Sequence, residues 1–213
     1  RAFEEKFGIS WDNYMLLDLP DSPNGRDLGL YTADKYLLFN DPFIGLMDST
    51  LDGTEGSAYA LCAKKLNQVP ENKTYGYLFK TQKALAEVLE IKADLGDRTR
   101  KAYESKDLQA LQEIIKDYDR VEERLEVFYK AYRKQWHIEN KGFGWEVQDM
   151  RLGGLKQRIC HCKERLMAYV AGEVEKIEEL EEKRLDFLGN GEDFQKKPIL
   201  YGYWDKAYTA NIM

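Results

Sequence analysis

Polar and apolar residues between positions 107 and 184 alternate with the period of an amphipathic α-helix. After Asp107, which is suited to cap a helix, apolar residues recur at steps of three and four for roughly eight turns. Beyond a break at 140–144 the spacing resumes and continues between charged residues as far as Arg184. The pattern predicts two long antiparallel helices joined by a short loop. Its apolar positions are Leu108, Leu111, Ile114, Ile115, Tyr118, Val121, Leu125, Phe128, Tyr129, Tyr132 and Trp136, and then Leu152, Leu155, Ile159, Cys162, Leu166, Tyr169, Val174, Ile177 and Leu180.

Shorter helical patterns precede these two. They cover residues 2–7, 11–17, 54–66, 75–95 and 98–104. We expect Gly96 to end the fourth of them. The apolar run 35–39 is too short to distinguish a strand from a buried helical turn. The prediction is therefore a mainly α protein: one domain over 1–213, a helical bundle built on the two long antiparallel helices, with an irregular N-terminal third over 1–53 and an aromatic C-terminal tail over 189–213.

The connection between the long helices is rich in glycine. Residues 142–155 contain four glycines, two aromatic rings and several charges. Glycine inside a helix costs roughly 1 kcal/mol relative to alanine, so a Gly153–Gly154 pair there requires a reason. We interpret the run as a tight corner in which this pair permits a close crossing of two backbones.

Composition excludes several functional classes. The net charge of −6 over 213 residues, without a basic and aromatic stretch, argues against a nucleic-acid partner. No apolar run is long enough for a membrane span. Three cysteines without regular spacing do not suggest a disulfide framework, so a reducing cytoplasm is the expected location.

Two clusters of possible ligands have simpler structural interpretations. Cys160, His161 and Cys162 cannot converge on one ion from a helix, because residues two apart point in nearly opposite directions. The glutamates between 173 and 182 alternate with lysines, which is typical of a solvated helix face. We therefore expect no metal site and no cofactor.

Seven residues remain as candidates for contact with a substrate or another domain. Asn40 and Asp41 precede a proline after an apolar run, where the carboxylate could face a ligand or cap the next segment. Trp136, His137 and Trp145 surround the corner, where rings could stack on a sugar or bury area at an interface. Asp149 and Arg151 flank the start of the second long helix, where they could anchor it or contact a sugar or a partner. The full set is Asn40, Asp41, Trp136, His137, Trp145, Asp149 and Arg151.

Four short segments, in their order along the chain, resemble the C-terminal helical region of bacterial glycoside hydrolase family 20 β-N-acetylhexosaminidases. They are Asn13–Pro20 (NYMLLDLP), Tyr36–Gly45 (YLLFNDPFIG), Gly142–Leu155 (GFGWEVQDMRLGGL) and Tyr208–Asn211 (YTAN). The resemblance implies an exo-acting enzyme that releases terminal N-acetylglucosamine or N-acetylgalactosamine from β-linked glycans. In that family the substrate's own acetamido group is the nucleophile, and an adjacent Asp-Glu pair on a catalytic barrel assists it.

This chain departs from the family pattern at the chemistry, because no Asp-Glu dipeptide occurs in it. Since it also begins at Arg1, we expect it to be a C-terminal accessory domain that supports the barrel or a dimer and is inactive alone. The expected partners are its own barrel, a second copy and, through the parent enzyme, a β-linked N-acetylhexosaminide. The alternative is a stand-alone helical protein-interaction module. A further alternative places Asn40, Asp41 and the 136–151 segment at the active site of a neighbouring protomer.

Overall fold

A computed structural model describes residues 2–23, 33–189 and 191. The α-helices are α1 Ala2–Phe7, α2 Trp11–Met15, α3 Ala33–Phe39, α4 Glu55–Asn67, α5 Gly76–Lys92, α6 Leu95–Glu104, α7 Leu108–Glu139, α8 Trp145–Val170 and α9 Glu178–Glu181. Short 3-10 helices cover Leu16–Asp21 and Asp48–Thr50. No strand occurs in the described ranges, so the mainly α prediction is confirmed. Most of the predicted aromatic tail lies outside those ranges.

The long helices α7 and α8 pack side by side in opposite directions. Tyr129 near the end of α7 bonds Asp149 near the start of α8, and Lys163 later in α8 bonds Glu122 earlier in α7. This confirms the predicted antiparallel pair. Asp107 caps α7 as expected, because its side chain accepts a hydrogen bond from the Ala110 backbone N–H.

Helix α5 is the centre of the bundle. It packs against α3, α4 and α7, and buried residues lie on more than one of its faces. A helix covered on several sides needs apolar residues beyond a single stripe. The run 35–39, left ambiguous by the sequence, belongs to α3 and packs against α5.

The second long helix ends earlier than the pattern predicted. It stops at Val170, and only Glu178–Glu181 is helical in the charged stretch that follows. Gly172 has a φ of +74°, and its N–H bonds Tyr169 O while Glu173 N–H bonds Ala168 O. These two bonds form a Schellman cap, which reverses the chain. The apolar periodicity continues past Val170 because Ile177 and Leu180, which lie in the segment after the turn, are buried.

Two expectations about glycine were wrong. Gly96 does not end a helix but lies in the first turn of α6, where an added Cβ would be 2.7 Å from the Pro42 carbonyl oxygen. Gly153 and Gly154 lie inside α8 with no atom within 4 Å of an added Cβ, so no close crossing occurs there among the described residues. The corner itself is the shorter stretch between α7 and α8.

None of the helices in the described ranges combines the length and apolar character needed to cross a membrane.

Candidate functional site

Asp41 fastens the turn after α3 to helix α8. Its Oδ1 accepts hydrogen bonds from the Phe43 and Ile44 backbone N–H groups, which is a local cap. Its carboxylate is also held by Arg158, with Nε to Oδ2 at 2.7 Å and Nη2 to Oδ1 at 3.1 Å. Burial alone would raise the pKa of Asp41, but the hydrogen bonds and charge of Arg158 outweigh burial and lower it. Arg158 also bonds Glu179, so one guanidinium joins three segments.

Asn40 belongs to a buried polar network beside that turn. Its Nδ2 donates to Asp48 Oδ1 at 2.7 Å and its Oδ1 accepts from the Met47 N–H. Lys92 of α5 donates to the Asn40 and Leu37 carbonyl oxygens. Burial lowers the pKa of Lys92 to about 8 and raises the pKa of Asp48 to about 6, the latter against the opposing charge of the nearby Arg184 guanidinium. These bonds hold Asn40 inside the fold.

The candidate rings cluster at the α7–α8 corner. Trp145 is buried, with its ring centroid 5.3 Å from Tyr132, 5.8 Å from Trp136 and 6.1 Å from the exposed ring of His137. The indole Nε1 of Trp136 donates to the Lys141 carbonyl oxygen. The cluster stabilises the corner because each ring buries area against the others.

Phe143, which lies between Gly142 and Gly144 in the same corner, has an exposed ring. It is 89% exposed. The corner therefore combines packed rings with the exposed rings of His137 and Phe143.

Asp149 and Arg151 point to different surroundings from the first turns of α8. The exposed Asp149 carboxylate accepts a hydrogen bond from the Tyr129 hydroxyl at 2.8 Å. Arg151 instead lines a cavity of about 630 Å³ together with Gln148. Of the seven candidates, Arg151 thus lines this cavity, whereas Asp149 lines a smaller cavity of about 230 Å³ between α7 and α8.

This cavity, which we call the four-helix cavity, lies among α3, α5, α7 and α8. Its size falls within the usual range of small-molecule sites. Four helices contribute to the wall, so it is a product of tertiary packing and not of one loop. It is lined by Asp34, Lys35, Tyr36, Leu38, Phe39, Thr81, Gln82, Leu85, Phe128, Tyr132, Gln135, Gln148, Arg151 and Leu152.

Asp34 is the most unusual group on this wall. The residue is only 7% exposed, and its Oδ1 has no hydrogen-bond partner in the described part of the chain. Burial, followed by a hydrogen bond to Asp21 and the charge of that carboxylate, raises the pKa of Asp34 to about 8. The carboxyl group is therefore mostly protonated at neutral pH and can donate as well as accept a hydrogen bond.

Gln135 of α7 carries a second unpartnered acceptor among the lining residues. Its Oε1 is buried without a hydrogen bond from any described residue, while its Nε2 bonds Glu139. Sequence reasoning missed Asp34 and Gln135. Asp34 precedes the apolar run 35–39 and resembles a helix-start residue, and Gln135 is one of many polar residues on α7. Only packing of α3 near α7 and α8 distinguishes them.

The cysteines lie apart from these features. Cys62 and Cys162 are buried free thiols, and Cys160 is a partly exposed one. Within the described ranges, no three His, Cys, Asp or Glu side chains are arranged to hold a metal ion.

Comparison with known proteins identifies the family of this chain. A search of curated proteins finds no similar sequence. The family model described as the Glycoside Hydrolase 20C C-terminal domain matches residues 12–198, which include the turn after α3, the corner and the four-helix cavity. Because the match covers most of the sequence, the chain belongs to the glycoside hydrolase 20C C-terminal domain family.

Proposed function

We propose that the chain is the accessory domain of a family 20 β-N-acetylhexosaminidase and packs against its catalytic barrel without contributing a catalytic residue. The parent enzyme would release terminal N-acetylglucosamine or N-acetylgalactosamine by retaining, substrate-assisted hydrolysis. Its Asp-Glu pair would come from the barrel, since this sequence has none. A dimer of the parent and a cytoplasmic location, consistent with three free thiols, belong to the same proposal.

The observation that carries this proposal is an exposed aromatic surface at one end of the bundle. Trp11, Tyr14 and Phe3 form a ring cluster, with Trp11 5.3 Å from Phe3 and 5.8 Å from Tyr14 between centroids. Trp11 and Tyr14 are nevertheless exposed. Large exposed apolar clusters typically mark interaction sites.

The same end of the bundle carries the α7–α8 corner. The Tyr77 hydroxyl in the first turn of α5 donates to Glu139 at the end of α7, at 3.1 Å. Phe3, Tyr14 and Glu139 line one small cavity between these elements. Phe143 lies four residues beyond Glu139 with its ring exposed, and we propose that it belongs to the same docking surface. We call the surface formed by Phe3, Trp11, Tyr14 and Phe143 the aromatic end.

Phe143 allows docking to be tested without disturbing the domain. Because its ring contacts so little of the chain, Phe143→Ser should leave the melting temperature of the isolated chain unchanged. In the protein that carries the barrel, the same change should cost about 2 kcal/mol, since a phenylalanine buried at an interface contributes about that much. Thermal unfolding of both proteins measures the difference.

Val127→Ser is the matched control, because Val127 is 55% exposed in the middle of α7. It should affect neither protein. Equal melting temperatures for Phe143→Ser and Val127→Ser in the longer protein would remove the aromatic end from the interface. Separately, hydrolysis of a chromogenic β-N-acetylglucosaminide by the isolated chain would contradict its assignment as a non-catalytic domain.

A further inference from the structure

The small cavity at the aromatic end, which we call the end pocket, is shaped for one inserted side chain. It has a volume of about 220 Å³ and lies where α1 and α2 meet the start of α5 and the end of α7. This volume is below the range of about 300–1,000 Å³ that is usual for small-molecule sites. Most of the wall is aromatic, from the rings of Phe3, Phe7, Tyr14, Tyr75 and Tyr77.

Glu139 is the one charged residue among the described residues that line the end pocket. The hydrogen bonds that reach its carboxylate from the described residues come from neutral donors, the Tyr77 hydroxyl at 3.1 Å and Gln135 Nε2 at 3.0 Å. Glu139 is exposed, so water hydrates its charge in the isolated chain. A partner that covered this end would remove that water, and the carboxylate would then require a positively charged donor.

The rings beside Glu139 are also suited to a cation. A cation within about 6 Å of a ring centroid is attracted to the face of the ring. The chain already shows one such contact at the edge of the end pocket, because Lys6 Nζ lies 5.5 Å from the Phe7 ring centroid without lining the pocket. Between residues 2 and 15, three carboxylates accompany one lysine. The charge at this end of the bundle is therefore complementary to a cationic group.

Arginine matches the end pocket better than lysine does. Its guanidinium is planar, stacks on aromatic faces and donates to a carboxylate through a rigid fork. Arginine is also enriched in the buried centres of protein interfaces, where lysine is depleted. We propose that the end pocket receives an arginine side chain of the catalytic barrel, whose guanidinium binds Glu139 while its stem packs against the surrounding rings. This rests on the proposed function, since the barrel supplies the arginine.

The test is Glu139→Gln in the protein that carries the barrel. Glutamine keeps the size of the side chain and an acceptor for Tyr77 but removes the charge. The guanidinium would then be buried without its counter-charge, so we expect the melting temperature to fall by about 2 °C or more. In the isolated chain, Glu139→Gln should not lower the melting temperature, because a hydrated carboxylate at the C-terminal end of a helix is not favoured by the helix dipole.

Glu123→Gln is the matched control, because Glu123 is exposed in the middle of α7. It should leave the melting temperature of both proteins unchanged. Equal melting temperatures for Glu139→Gln and Glu123→Gln in the longer protein would overturn the assignment of an arginine to the end pocket. A rise for Glu139→Gln would also overturn it, since an apolar side chain in the pocket would make the loss of a buried, unpaired carboxylate favourable.

Comparison with Phe143→Ser separates the arginine from the docking itself. If Phe143→Ser lowers the melting temperature of the longer protein and Glu139→Gln does not, the aromatic end docks on the barrel without an arginine in the end pocket. If neither change has an effect, the docking and the arginine are both refuted. If both changes lower it while the isolated chain keeps its stability, both proposals are supported.

Discussion

The Asp41–Arg158 pair offers the sharpest test of how this fold is held together. Arg158→Met keeps most of the aliphatic stem but removes the guanidinium. It leaves Asp41, whose side chain is only 13% exposed, without its counter-charge, and it also breaks the bond to Glu179. Hydrogen bonds to charged groups contribute about 1.5–3 kcal/mol each, but they are not additive and solvent screens the more exposed Glu179. We expect a loss of about 3 kcal/mol.

The matched control lies two turns further along the same helix. Arg165→Met also removes a guanidinium, but its partner Glu178 is 68% exposed. A solvated pair contributes less than about 1 kcal/mol. Urea unfolding at pH 7, followed by far-UV circular dichroism, gives both free energies of unfolding. A cost for Arg158→Met no greater than that for Arg165→Met would refute the assignment of Arg158 as the central tie.

The pH dependence supplies a second measure of the same pair. The pKa of Asp41 is lowered in the folded chain, so its contribution to stability is present above the ordinary value of 3.8 and is lost as the pH falls through the folded value. In Arg158→Met the pKa of Asp41 should return toward or above 3.8, and the acid loss of stability should shrink. If the loss of stability at acid pH were the same in Arg158→Met as in the natural chain, the charge of Arg158 would not be what lowers the pKa of Asp41.

The other predictions concern close packing and buried charge. Gly96→Ala should cost about 1–2 kcal/mol in urea unfolding, because overpacking against the Pro42 carbonyl exceeds the gain in helix propensity. Gly154→Ala, which meets no atom within 4 Å, should instead stabilise the chain by up to about 1 kcal/mol, and a loss would show that space to be filled. The pKa of Asp34 is raised from 3.8 to about 8 in the folded chain. The contribution of Asp34 to stability is therefore fully present below pH 3.8 and is lost as the pH rises through about 8. Asp34→Asn should therefore differ little from the natural chain at pH 4 and be more stable at pH 9, by on the order of 6 kcal/mol. A difference in the free energy of unfolding between Asp34→Asn and the natural chain that is the same at pH 4 and pH 9 would contradict the raised pKa of Asp34.

The sequence predicted the elements whose cause is local. Periodic apolar residues defined α7 and the body of α8, and Asp107 marked a helix start because its capping bond reaches only three residues along the chain. The sequence-based prediction was wrong where a feature depends on residues that are distant along the chain. The apolar pattern predicted more helix beyond Val170 because Ile177 and Leu180 keep the helical spacing, although tertiary packing buries them in a segment after the turn. The need for Gly96 arises from Pro42, a contact that periodicity cannot reveal.

The same distinction applies to the candidate site. Asp41 was identified from its turn, but the partner that fixes its role, Arg158, lies more than a hundred residues away. Asp34 gave no signal because its properties depend on burial and on Asp21, which only the folded chain provides. A site assembled from four helices has no contiguous motif, so its residues could be found only after packing was known.

The polar groups of this domain divide according to whether the chain itself satisfies them. Around Asn40, Asp41 and Arg158 the buried donors and acceptors bond one another across three segments, which is what a structural tie requires. In the four-helix cavity, Asp34 Oδ1 and Gln135 Oε1 have no such partners among the described residues. Ser49 Oγ and Trp145 Nε1, which lie outside that cavity, also have no hydrogen-bond partner in the described part of the chain, so an unsatisfied buried atom does not by itself mark a ligand site in this domain.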